Sequence, residues 1–191
     1  EYTSHSDVRG RIIHKILDEE IEKAKLSERV SLLLEQDLFN SRITKKAFEL
    51  LMNSILSNLR QYYHSQTHTE LSKFDKYKNE HEIYLKLEDF YLYGIIDKLI
   101  FDDRKIFIVD YKTDNIKEEE ISSRGELYLS QLKFYSVLVN EIYDPSEIEL
   151  RIVFTKFPDV IFSKKITDEE VIEFRDYICL LYTSDAADDL L

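Results

Sequence analysis

The succession of periodicities along the chain predicts an α/β domain: a mixed β-sheet flanked by helices, preceded by an N-terminal helical segment. Three observations predict it. Apolar residues recur at helical spacing through the first third of the chain; three β-favouring runs then follow one another; and one further helical stretch separates them from two short strands. Three neighbouring runs joined by short breaks read as a meander, and the helix after them reads as a crossover.

The elements are expected in this order. Helices span Ser6 to about Lys25, Glu28 to Phe39, and Thr44 to about Ser65, the last with Phe48, Leu51, Met52, Ile55 and Leu59 on one stripe. Ser27, and Ser41 or Thr44, are of the residue types that cap helix N-termini. Thr67 to Lys76 is polar and reads as a connection. Strands follow at about Tyr77–Leu87, Phe90–Phe101 and Lys105–Lys112. Thr113 to Gly125 is a charged loop, and Glu126 to Asn140 is helical. Two more strands, Glu147–Thr155 and Asp159–Ser163, flank Lys156-Phe157-Pro158. Thr167-Asp168-Glu169-Glu170 caps a last helix to about Ile178.

At 191 residues, with 43% hydrophobic and 34% charged residues, one domain with a sizeable core is expected. Glycine (3) and proline (2) are scarce, which favours long helices over tight turns. No run of eighteen apolar residues would span a membrane, and no signal peptide is recognisable. The first residue is Glu1 and the sole methionine is Met52, so the chain reads as starting inside a longer frame. Its last stretch, Cys179 to Leu191, resembles the translation of a sequencing adapter; the domain is expected to be residues 1–178, with 179–191 a non-native tail outside the sheet and the functional face. Removing that tail's three aspartates takes the formal net charge from −12 to −9 and leaves no cysteine, hence no disulfide or thiolate chemistry.

The second and third strands carry the chemistry. If Asp103 and Arg104 form a two-residue turn, residues whose numbers sum to 207 face each other, and Asp97 faces Asp110. Lys112, two residues beyond Asp110, shares its face by the strand period. Opposed like charges destabilise a sheet unless a hard cation joins them, and Mg²⁺ takes such carboxylates. The plain alternative is that one aspartate is solvated, or that Lys112 neutralises the pair.

Gly94-Ile95-Ile96-Asp97, Val109-Asp110-Tyr111-Lys112-Thr113 and Gln131-Leu132-Lys133-Phe134-Tyr135 together resemble the RecB-type branch of the PD-(D/E)xK nucleases, as found at the end of AddA/RecB-like helicase–nucleases. Arg9-Gly10-Arg11-Ile12-Ile13-His14 is similar to that family's Gly-x-x-x-His helix, and Glu80-His81-Glu82-Ile83 to the acidic stretch before its first metal-binding aspartate. The motifs stand in the family's order from about Arg9 to Tyr135. The resemblance implies a restriction-endonuclease-like fold. It implies His14, Asp97, Asp110 and the backbone carbonyl of Tyr111 as metal ligands, and Lys112 as the residue that positions the attacking water. It also gives catalytic standing to Asp97, Asp110, Gln131 and Tyr135.

Taken alone, His14 is at the edge of an apolar stripe, and Gln131 and Tyr135 are ordinary helix neighbours four residues apart. His5, His64, His68 and His81 show no ligand spacing and read as surface residues. The implied cofactor is Mg²⁺, with Mn²⁺ as substitute and no iron–sulfur cluster. The implied activity is a DNA exonuclease in double-strand-break repair and recombination. Its single strand would come from a helicase motor of the same polypeptide, with a second subunit, no membrane and a cytoplasmic location. An acidic chain lacks the basic footprint of a protein that binds DNA by itself, which agrees with delivery by neighbours. Two other readings remain: a catalytically inactive module for DNA guiding or for docking to another chain, and a stand-alone RecB-family exonuclease.

Overall fold

A five-stranded sheet in the order β1-β2-β3-β4-β5 organises the protein. The structure, a computed structural model, describes residues 5–39, 43–87 and 90–188. Its elements are α1 (His5–Asp18), α2 (Leu26–Asp37), α3 (Lys45–His64), α4 (Gln66–Leu71), β1 (Tyr77–Leu87), β2 (Phe90–Asp102), β3 (Lys105–Lys112), α5 (Ile121–Tyr143), β4 (Glu147–Phe154), β5 (Phe162–Ile166) and α6 (Asp168–Asp188). β1, β2 and β3 are antiparallel neighbours, as are β4 and β5. Between β3 and β4 the contacts run in the same sense: Arg104 O accepts from Ser146 N at 2.8 Å and Lys112 O from Thr155 N at 2.9 Å. That pair is therefore parallel, with α5 as its crossover, and the sheet is mixed.

Two compact units divide the chain. One holds α1–α4 with Tyr111–Glu119 and Val153–Ile161; the other holds Phe74–Asp110, Glu120–Ile152 and the chain from Phe162 onward. In the helical unit, Val8, Ile12, Ile13 and Ile16 of α1 are buried, as are Val30 and Leu34 of α2 and Ile55 and Leu59 of α3. Thr44 caps α3 by accepting from Ala47 N at 3.2 Å, as its residue type predicts. Gly10 lets α1 approach the chain after β3, since a Cβ there would lie 3.3 Å from Thr113 Oγ1. In the sheet unit, β3 is buried from Ile106 through Asp110, the mark of a central strand.

Several boundaries differ from expectation. α1 stops at Asp18 because Glu20 takes a positive φ of 49°, which ends a helix. Ser27 is not a cap, since α2 begins one residue before it, and Ser41 lies outside the described residues. Part of the expected connection is helical: Ser65 Oγ accepts from His68 N at 3.0 Å and starts α4, too short to leave a periodicity. β5 begins at Phe162 rather than Asp159, because the backbone is still turning there, with Val160 N donating to Phe157 O at 3.1 Å. α6 continues past Ile178 to Asp188, and no strand of the described sheet comes from that stretch.

The helical unit also buries ionisable phenols. Desolvation raises the Tyr62 phenol well above its ordinary range and pushes Tyr63 up to about 12. A phenol whose pKa is raised on folding favours the native state below its unfolded pKa of about 10, and that contribution is lost as pH rises through the folded value. Stability is therefore expected to fall as pH rises through about 10 to 12. The check is a tyrosinate absorbance titration run beside alkaline unfolding: Tyr63→Phe should flatten the loss of stability, and an unchanged pH dependence would refute it.

Candidate metal centre

Three carboxylates stand on three adjacent strands of the sheet unit. The β2–β3 ladder runs from Asp102↔Lys105 to Lys98↔Val109, all pairs summing to 207. Asp97 and Asp110 are the next residues on that register. The β1–β2 ladder pairs Asn79 with Lys98 and His81 with Ile96, so the slot between them sets Glu80 against Asp97. Carboxylate oxygens of Glu80 and Asp97 lie within 4.8 Å of each other. Asp110 is 2% exposed; Glu80 and Asp97 are half-buried.

A kink aims this row. Lys78 stacks over the Phe101 and Tyr143 rings, and His81 Nε2 lies 2.8 Å from the Tyr143 hydroxyl, so both meet the C-terminal end of α5. Strict alternation would send residues three apart to opposite faces. Glu80 between them has φ 41°, and this break lets both face one helix. His81 is consequently not a surface residue: burial first, and Lys78 second, lower its pKa. His68 is likewise packed edge-on against Tyr62, with ring centroids 5.2 Å apart, whereas His64 is exposed; the His5 side chain lies outside those described.

α5 lies over the row. Gly94 of β2 permits the approach, since a Cβ there would come within 3.0 Å of Tyr135 and Leu138. Gln131 Nε2 donates to the Tyr135 hydroxyl at 2.9 Å. Burial raises the Tyr135 pKa, the Gln131 bond works against that, and the charges of Asp110, Asp97 and Glu80 raise it further. The phenol thus stands in the field of all three carboxylates.

The other residues singled out in the sequence belong to the helical unit. Lys112 ends β3 and is half-buried, and its carbonyl also accepts from Thr155 Oγ1 at 3.3 Å. Tyr111 is buried and its hydroxyl meets that of Tyr62 at 2.8 Å. His14 is half-buried on α1.

In the sequence Glu80 stands out as part of an acidic stretch, not as a member of the row. The signal was available: a two-residue connection between Leu87 and Phe90 makes partner numbers sum to 177, which pairs Glu80 with Asp97. The donor set suits a hard divalent cation, because carboxylates converging in partly buried space repel one another unless a cation joins them.

A mixed sheet with helices on its faces, and acidic residues on three adjacent strands, define a restriction-endonuclease-like α/β domain. The family model described as the PD-(D/E)XK nuclease superfamily matches residues 1–190, and the chain belongs to that superfamily. Over 109 residues the chain is 31% identical to the RecBCD enzyme subunit RecB of Borreliella burgdorferi, which is 52% of this chain and 9% of that protein. Over 55 residues it is 38% identical to one subunit of the ATP-dependent helicase/nuclease of Clostridioides difficile, which is 29% of this chain and 4% of that one. The matched stretches are thus small parts of both relatives. A crystal structure of a candidate exonuclease from Eubacterium rectale shares the fold, with a TM-score of 0.56 and 11% identity, covering 93% of this chain and 65% of that one.

Proposed function

We propose that the domain is a Mg²⁺-dependent DNA exonuclease module, acting within a helicase–nuclease in recombination and double-strand-break repair. The observation that carries the reading is the row Glu80, Asp97 and Asp110 on three adjacent strands beneath Tyr135. Asp97 and Asp110 would hold the metal with His14 and the Tyr111 carbonyl, and Glu80 would add a further carboxylate; Mn²⁺ would be accepted in its place. Bound there, a divalent cation supplies Lewis acidity to the scissile phosphate and lowers the pKa of a water.

The chain's own groups do the remaining work. Lys112 orients the attacking water and offsets negative charge developing on the phosphate. Gln131 fixes the Tyr135 ring by its hydrogen bond, which leaves the phenol's proton to be donated to a phosphate oxygen. Water adds to phosphorus as the bond to the 3′ oxygen breaks, leaving a 5′ phosphate on the product. One relative is named as a subunit of an ATP-dependent helicase/nuclease and the other as a subunit of the RecBCD enzyme, which supports a multi-subunit setting. The single strand would come from a helicase motor of the same polypeptide, working with a second polypeptide.

The test is cleavage of an end-labelled single-stranded oligonucleotide. Shortening from one end is expected with Mg²⁺ and none in excess chelator, and Lys112→Ala should slow it by roughly 10²–10³-fold. Cleavage that persists in chelator would contradict the reading.

A further inference from the structure

Within the helical unit, α1, α3 and the chain after β3 surround an open cavity of about 580 Å³. Its polar lining is Ser6, Arg9, Ser54 and Asn115, and its apolar side is Ala47, Leu50 and Leu51. The chain has 38 acidic residues against 26 basic ones, yet among the described residues no carboxylate lines this cavity. Every polar side chain in the lining can donate a hydrogen bond, and one is a permanent cation. Arg9 is held in place from one side, where its Nη2 donates to Thr113 O at 2.5 Å. Its Nε–H is buried and meets no acceptor among the described residues. A buried donor without an acceptor calls for an explanation, and a bound water or an anion drawn to the guanidinium supplies one.

We propose that this cavity is a phosphate subsite for a DNA strand, with Arg9 as its cation, Ser6, Ser54 and Asn115 as neutral donors, and Leu50 against the sugar. The proposal deepens the nuclease reading by naming where the backbone of its substrate is gripped. The size suits one nucleotide unit, and Leu50, 62% exposed, offers the apolar surface that a free inorganic anion would not need. Contacts of this kind position a strand without reading its sequence. None of these residues belongs to the carboxylate row, so binding here is separable from cleavage.

The experiment measures binding of a labelled single-stranded oligonucleotide to the full chain in chelator, by fluorescence anisotropy across a salt series. For the wild type, log affinity should fall linearly with log salt. Arg9→Gln should weaken binding roughly ten-fold and make the slope shallower by about 0.7, the share of one phosphate contact on a single strand. Ser54→Glu, which keeps the Arg9–Thr113 bond, should weaken binding at least as much while circular dichroism and Tm stay at wild-type values. Unchanged affinity and slope in a folded Ser54→Glu variant would overturn the subsite. So would variants that lose only inorganic phosphate binding, measured by calorimetry, or a wild type that binds no oligonucleotide. If both variants behave as expected but Mg²⁺ elicits no cleavage, the subsite stands and the nuclease reading fails.

Discussion

Asp110→Asn should reduce Mg²⁺-dependent cleavage by on the order of 10²–10³-fold, or below detection, while the fold survives. Asp110 is the most buried of the three carboxylates and the one on the central strand, so its charge has the fewest substitutes. Asparagine keeps the shape and removes the charge. In chelator the row is three like charges at neighbouring positions, a destabilising arrangement worth roughly 0.2–1 kcal/mol per directly opposed pair. Thermal stability of the variant in chelator should therefore hold or rise slightly, and the gain should vanish when Mg²⁺ is added, because only the wild type gains by binding it. A variant that lost stability in chelator and kept cleavage would show the row to be structural.

Gly125→Ala should destabilise the domain by about 1–3 kcal/mol, which for a chain of this length lowers Tm by about 2–4 °C per kcal/mol. In an isolated helix the same change would be favourable by about 1 kcal/mol. Packing reverses the sign. A Cβ on Gly125 would sit 2.3 Å from both Cγ and Cδ2 of Phe162 and 2.9 Å from its Cβ. These atoms are too near the backbone of β5 to swing aside, so helix or strand must shift. The check is a double-mutant cycle by thermal unfolding. Gly125→Ala combined with Phe162→Ala should cost less than the two single changes added together, since the two 2.3 Å contacts go with the ring and only the 2.9 Å contact with Cβ is left. Strict additivity would contradict this origin of the cost.

Gly125 also shows why part of the fold was not legible in the sequence. A glycine at the end of a charged stretch reads as the last loop residue, and the helix was expected to begin at Glu126. The structure starts α5 at Ile121 and runs it through Gly125, because Phe162, 37 residues later, needs the space. No local pattern carries that information. The strands, by contrast, were readable: β1, β2 and β3 lie within a residue of their expected bounds, since long apolar runs and two-residue connections leave little freedom in register. The Asp97 and Asp110 register followed from the same arithmetic. Glu80 did not enter the expected row, although the connection between Leu87 and Phe90 pairs it with Asp97 by the same arithmetic; what strict alternation could not show is the kink at φ 41° there. Arg9 was legible only as part of a motif; its cavity depends on α3 and Asn115, which are distant in sequence.

Whether the carboxylate row is a metal centre is tested most directly by a crystal soaked in Mn²⁺, through the metal's anomalous scattering. The expected result is a peak bonded at roughly 2 Å to oxygens of both Asp97 and Asp110, with Glu80 beside it and no such peak in Asp110→Asn. A map with manganese bound elsewhere on the protein, and none between those two aspartates, would contradict it.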